Sequence, residues 1–269
     1  MLACAHLLLG ACAAAPVPRH LELARDLVRD VPPETTTYQH SPTVVEWAHD
    51  GRPATCRADC SGFLNEVFKS SLAIDGPGLS TWLNRDRPLA LDYFRAISAE
   101  RGFIKIDRIA DAAPGDLIAI KYEPGAGNSG HVMLVDAPAR EVAGAPPLVA
   151  GTTQWRVRVI DCSSTGHGPG DTRYEGGRKV RTGLGAGEFR LYVDGAGVTT
   201  GHTFTTASDS PFRAQNDRPV VIGRPTGHRA QRRGGRRPVR HPPRRLSRTP
   251  VRESLVSASQ TRCVPSVSR

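Results

Sequence analysis

Apolar residues recur at helical spacing in three stretches of the first hundred residues, and gather into six short runs after that. Over residues 19–31, Leu21, Leu23, Ala24, Leu27 and Val28 share one helical face, and Pro32-Pro33 ends the pattern. Over residues 60–72, Phe63, Leu64, Val67, Phe68 and Leu72 do the same and predict an amphipathic helix. Residues 80–101, with Trp82, Leu83, Leu89, Leu91, Tyr93, Phe94 and Ile97, predict a further helical stretch. The runs at 102–106, 116–121, 131–135, 155–161, 189–193 and 219–223 predict strands, the second opened by a Pro114-Gly115 turn. Helices first and strands later, without regular alternation, predict an α+β fold with N-terminal helices packed on an antiparallel sheet.

Composition bounds this picture. A chain of 269 residues with 39% hydrophobic content suffices for one domain with its own core, expected over residues 19–225. From about residue 226 the text turns to Arg, Pro and Gly with almost no apolar periodicity. Such a segment buries too little surface to offset chain entropy, so residues 226–269 read as a disordered basic tail. Residues 1–18 combine a short apolar run with small residues and prolines, as in a secretory signal, and Leu9-Gly10-Ala11-Cys12 resembles a bacterial lipobox. A cell-envelope protein, periplasmic or secreted and lipid-anchored at Cys12, is the expectation. No stretch reaches the roughly 18 apolar residues of a membrane-spanning helix.

The net charge of +10 misleads about partners. Residues 218–269 hold 14 arginines against one acid, Glu253, so the rest of the chain is near −3. Contact with nucleic acid or another anionic polymer is therefore a question for the tail alone. The six cysteines are irregularly spaced and form no CxxC pair, which argues against a disulfide scaffold or a zinc ribbon.

Two stretches carry chemistry. In Arg57-Ala58-Asp59-Cys60-Ser61-Gly62-Phe63-Leu64, Cys60 stands where the amphipathic helix begins. Free N–H groups and the helix dipole favour an anion at such a position, which suits a thiolate nucleophile. Small Ser61 and Gly62 leave room for a substrate. Downstream, His131 opens a strand after a loop containing Gly125, Gly127 and Gly130, where an imidazole can take the thiol proton. Asp161, at the end of the next strong strand, is the candidate to orient that imidazole, with His167 as the alternative. Cys162 reads as a packing residue.

Together, Asp59-Cys60-Ser61-Gly62-Phe63, Pro114-Gly115-Asp116-Leu117 and His131-Val132 resemble the NlpC/P60 cysteine peptidases, over roughly residues 35–165. The resemblance implies a papain-like α+β core and a catalytic Cys60-His131-polar triad. It implies hydrolysis of an amide bond in peptidoglycan stem peptides, by a monomer that needs no metal or cofactor. The polar third residue of that family is commonly His, Asn or Gln, so the acidic Asp161 departs from its pattern. Tyr38 and His40 are candidate donors to the oxyanion, beside the Cys60 N–H. Ser61, His167, Asp171 and Arg173 are candidate substrate contacts, the last three in a glycine-rich loop over residues 163–173. Residues 183–187 (GLGAG) only superficially resemble a phosphate loop, since no Lys-Ser/Thr ending follows.

Two other readings compete. Cys56, Cys60, Cys162 and His167 offer four zinc ligands of the right chemistry. A papain-like domain without catalysis, binding wall peptides, or anionic polymers through its tail, is the other.

Overall fold

A computed structural model describes residues 16–226. The first eighteen residues therefore lie mostly, and the Arg-rich tail almost entirely, outside the described residues. The chain runs through α1 (Arg19–Asp30), β1 (Thr36–Tyr38), β2 (Val44–Glu46), β3 (Thr55–Ala58), α2 (Cys60–Leu72), α3 (Gly76–Leu83) and α4 (Ala90–Ser98). It continues with β4 (Phe103–Ile106), β5 (Leu117–Lys121), β6 (Gly130–Val135), β7 (Arg140–Val142) and β8 (Thr153–Ser163). The rest comprises β9 (Tyr174–Glu175), β10 (Arg178–Lys179), β11 (Gly183–Val193), β12 (Thr199–Thr203), β13 (Arg213–Ala214) and β14 (Val220–Pro225). The class is α+β, and a nine-stranded antiparallel sheet dominates, in the order β13-β12-β11-β8-β6-β5-β14-β4 with β7 on β8. A small sheet, β1-β3-β2, leads into α2, and its β1–β3 pair is parallel.

Alternation along the strands divides the core between the two sheet faces. Leu117 and Ala119 of β5, Val132 and Leu134 of β6, and Ile160 and Cys162 of β8 pack with Leu21, Phe63, Phe68, Trp82 and Ile97 of the helices. The intervening Ile118, Ile120, Met133, Val135, Val157 and Val159 pack with Phe189, Leu191, Val220 and Ile222. His131 and Asp161 follow the parity of this second set, at its polar end.

Two sequence expectations change. The helical stretch over 80–101 is two helices. Asn84 takes a left-handed conformation that ends α3, and Pro88 precedes the Leu89 cap of α4, whose N–H bonds the Asp92 carboxylate at 2.9 Å. The strand expected at 189–193 begins at Gly183, and GLGAG is its first half, paired residue for residue with β8. The Pro-Gly-Asp turn is structural: Asp116 accepts the Ala113 N–H at 2.8 Å and the Arg224 guanidinium at 2.8 and 3.0 Å, tying β5 to β14.

Candidate active site

Asp59 places Cys60. It is the N-cap of α2, its Oδ1 accepting the Gly62 N–H at 2.6 Å and the Ser61 hydroxyl at 3.1 Å. Its Oδ2 takes Arg87 at 2.9 Å and faces the His40 imidazole at 3.3 Å. Burial pushes the Asp59 carboxyl up, but the Gly62 N–H and Arg87 outweigh it and hold the pKa below its usual value. The cap is therefore a carboxylate, and the first turn of α2, with the thiol, is anchored at both ends of one side chain.

His131 comes to Cys60 from β6. Gly130, just before it, has φ +149°, and a Cβ there would lie 2.0 Å from the Ile120 carbonyl oxygen. Only glycine lets the two strands approach at this point. The paired register of β6 with β8 stops at Leu134↔Ile160, so His131 and Asp161 lie just beyond the ladder's end, where side chains replace the backbone bonds. His131 Nε2 and Asp161 Oδ2 are 2.6 Å apart. With Nε2 so engaged, Nδ1 is the nitrogen left for the Cys60 thiol, which is near enough to act on the charge of the ring. Burial disfavours a charged imidazole, but the charge of Cys60 and the bond to Asp161 outweigh it and raise the His131 pKa well above the ordinary histidine value.

Asp161 is fully buried and its oxygens are taken. Oδ2 also meets His167 Nε2 at 3.1 Å, and Oδ1 accepts Arg173 at 2.8 Å. Burial pushes its carboxyl up, yet Arg173, His167 and His131 together hold it well below the usual carboxylate range. Arg173, itself fully buried, forks onto Asp171 at 2.6 and 2.8 Å and reaches the Gly183 carbonyl at 3.0 Å. Gly185 and Gly187 make the space: a Cβ at Gly185 would come within 2.6 Å of Arg173 Nε, and one at Gly187 within 2.4 Å of Asp171 Oδ2.

This corrects the expected roles of the loop over 163–173. His167, Asp171 and Arg173 are buried behind Asp161 and line neither chamber of the cleft, so they brace the site rather than meet a substrate. His167 bonds Asp161 and the Phe204 carbonyl (2.8 Å), so the partner of His131 is Asp161. Ser61 lines the chamber that holds Cys60, with its hydroxyl turned to Asp59.

The cleft has two chambers. One, about 250 Å³, holds Cys60 with His40, Asp59, Ser61 and Arg87. The other, about 360 Å³, holds His131 with Tyr122, Tyr174, His202, Arg213 and Arg218. Tyr38, Asn128 and Gly130 border both. Burial, then the nearby Cys60 and Asp59, raise the Tyr38 phenol's pKa, so it stays a hydrogen-bond donor. His40 lies against Tyr38, ring centres 5.3 Å apart, with its polar edge toward Asp59.

The zinc reading does not survive this geometry. Among the described residues Cys56, Cys60, Cys162 and His167 do not converge as a ligand group, and Cys162 donates to the Ala58 carbonyl at 2.9 Å. Among the described residues, His131, Asp161 and His167 do bring ligand atoms within 4.8 Å of one another. Their convergence is the hydrogen-bonded network itself, whose central carboxylate already serves three donors. Sequence reasoning missed the bracing by Arg87 and Arg173 and the arginines of the larger chamber. The Asp59-x-x-Gly62 spacing signals the cap, whereas nothing local marks Arg213 or Arg218.

Fold and site together define a mixed α+β protein with a cysteine, a histidine and an aspartate in series at a two-chambered cleft. The chain belongs to one family with the uncharacterized protein R653 of Acanthamoeba polyphaga mimivirus. The two are 31% identical over 219 residues, which span 77% of this chain and 96% of the viral protein. No family model matches the chain, and no solved structure matches it.

Proposed function

We propose that the protein is a cysteine hydrolase of amide bonds with a papain-like core of the NlpC/P60 type. The observation that carries the reading is the meeting of Cys60, at the start of α2, with His131, whose far nitrogen is held by Asp161. In this reading the Cys60 thiolate attacks the carbonyl carbon and the C–N bond breaks. The His131 imidazolium gives its proton to the departing amine. Water, deprotonated by His131, then cleaves the thioester and restores the thiol. The Cys60 N–H, unbonded in the first turn of α2, and the Tyr38 hydroxyl are the donors proposed for the oxyanion. The resemblance in Asp59–Phe63, Pro114–Leu117 and His131-Val132 supports a peptidoglycan stem peptide as substrate, reached from a periplasmic or secreted location.

The test is labelling by iodoacetamide and by a peptidyl acyloxymethyl ketone, with each cysteine followed by peptide mapping. Cys60, which lines the smaller chamber, is expected to react at least a hundredfold faster than Cys56 and Cys162, which are fully buried and line neither chamber. His131→Ala should slow it by more than tenfold, and Cys60→Ala should abolish ketone labelling. Equal rates for all cysteines in the folded protein would end the hydrolase reading.

A further inference from the structure

The larger chamber carries a positive charge that the proposed chemistry does not use. Arg213, on β13, and Arg218, just after it, both line it, and no acidic side chain does. Arg218 is held in place: its guanidinium carbon lies 4.7 Å over the Tyr122 ring, and its Nε reaches Glu123 at 3.4 Å. Among the described residues Arg213 has no ion-pair partner. His202, in the same wall, registers both charges. It is buried, its Nδ1 has no hydrogen-bond partner, and burial followed by Arg218 and Arg213 pushes its pKa down to about 3. The ring is thus neutral, and it cannot repel a further cation or neutralise an anion. The arginines are left to do the latter.

Position relative to the reacting atoms gives this charge a meaning. The acyl group stays on Cys60, in the smaller chamber. The leaving amine departs toward the imidazole that protonates it, and His131 opens on the larger chamber. Whatever is bonded to the departing nitrogen therefore lies among Tyr122, His202, Arg213 and Arg218. We infer that this chamber is a carboxylate subsite for the leaving group, so that the bond cut is an amide to the nitrogen of an amino acid with a free carboxylate. Arg guanidinium groups suit that ligand, since two parallel N–H donors match two carboxylate oxygens. The inference rests on the hydrolase reading, and it adds the class of residue released.

Acyl transfer tests it, because the site that releases an amine also admits one. p-Nitrophenyl acetate acetylates Cys60 and releases p-nitrophenolate. An added amine then attacks the thioester, loses its proton to His131 and expels the thiolate, giving an N-acetyl product. Glycine, L-alanine and D-alanine are compared as acceptors with their own amides, at equal concentrations of free amine. At least one amino acid is expected to be used about tenfold or more better than its amide, the scale of one charge-assisted hydrogen bond. Arg213→Met and Arg218→Met should each lower that ratio, and the double variant should bring it to about one. A normal p-nitrophenolate burst with a ratio near one in the unaltered protein overturns the carboxylate subsite and leaves the hydrolase standing. A ratio that survives the double variant overturns the arginines' role. Absence of any burst, with no fast labelling of Cys60, overturns the hydrolase and the subsite together.

Discussion

At the scale of the residue, the site is a line of four side chains in which each one settles the state of the next. Arg173 keeps Asp161 ionised, Asp161 holds His131 in one orientation, and His131 faces Cys60. The three residues at the front of this line were legible in the sequence as candidate nucleophile, base and orienter, because they sit at element starts and ends that apolar patterning locates. Arg173 was legible only as a charge in a polar loop. Nothing in Gly170-Asp171-Thr172-Arg173 tells a solvated loop from a buried ion pair, since its burial depends on strands nearly adjacent in space but contributed by β8 and β11. A pH profile separates the roles. The proposed amide hydrolysis needs His131 protonated for the leaving amine, and its pKa is raised, so the alkaline limb of kcat is expected well above pH 6.5. Asp161→Asn removes one of the influences that raise it, and the limb should move to lower pH while kcat falls. A limb that stays in place would show that the bond at 2.6 Å does not tune the imidazole. Arg173→Met should act one step further back. It leaves two buried carboxylates without their cation, at a cost of about 3–5 kcal/mol in urea unfolding.

At the scale of the element, α2 and β11 show opposite kinds of legibility. The α2 helix is plain in the sequence from five apolar residues on one face; the structure adds the Asp59 cap and the stop at Ala73, which takes φ +49°. Its cap is also the anchor of Cys60, the proposed nucleophile. Asp59→Ala is expected to cost about 1–2 kcal/mol of stability, as loss of a cap does. It should also slow Cys60 labelling beyond what that loss explains, because Arg87 and the first turn are released together. A labelling rate unchanged in folded Asp59→Ala protein would reduce Asp59 to a cap alone. The first half of β11 was hidden for the converse reason. Glycine has low strand propensity, and three glycines in five residues mimic a loop. Gly185 and Gly187 stand there because Arg173 and Asp171 lie against the strand, and Gly183 because Thr36 and Thr37 do, at separations a methyl group would violate. Gly187→Ala should therefore destabilise the fold by about 1–3 kcal/mol, the usual cost of overpacking, and Gly185→Ala should do likewise through Arg173. Gly195, with open space around it, is the control at which the same change costs little in contacts. If all three variants unfold at the same urea concentration as the parent, the close approach over β11 is wrong.

At the scale of the whole molecule, the distribution of charge predicts how stability follows pH. Several buried groups bind protons differently in the folded and unfolded chain, among them His131, Asp161 and His202, and each has its own sign. His131 has a raised pKa, so its contribution is complete below about pH 6.5 and fades as pH rises through the raised value. Asp161 has a lowered pKa, so its contribution is present above about pH 3.9, the unfolded value, and is lost in stronger acid. His202 is a histidine held neutral, with a folded value of about 3. Below about pH 6.5 the unfolded chain takes up a proton that the folded protein refuses, and the difference grows until about pH 3. Between pH 6 and 5 the His202 contribution, with that of His20, whose pKa burial also lowers, should dominate, since His131 approaches full protonation in both states and Asp161 titrates in the unfolded chain mainly below about pH 5. The expected slope is about 1.4 kcal/mol of lost stability per pH unit from His202 alone. Urea unfolding of the unaltered protein and of His202→Leu, measured at pH 7.5, 6, 5 and 4, reads it directly. The variant's stability should fall less steeply by about one proton's worth. Burial does most to exclude the proton, and the charges that add to it, Arg218 and Arg213, are those proposed to bind a carboxylate, so Arg218→Met should flatten the unaltered slope in part while His202 remains. Parallel curves for all three proteins would mean that His202 is open to protonation in the folded state, and that the two arginines do not set the potential of the chamber.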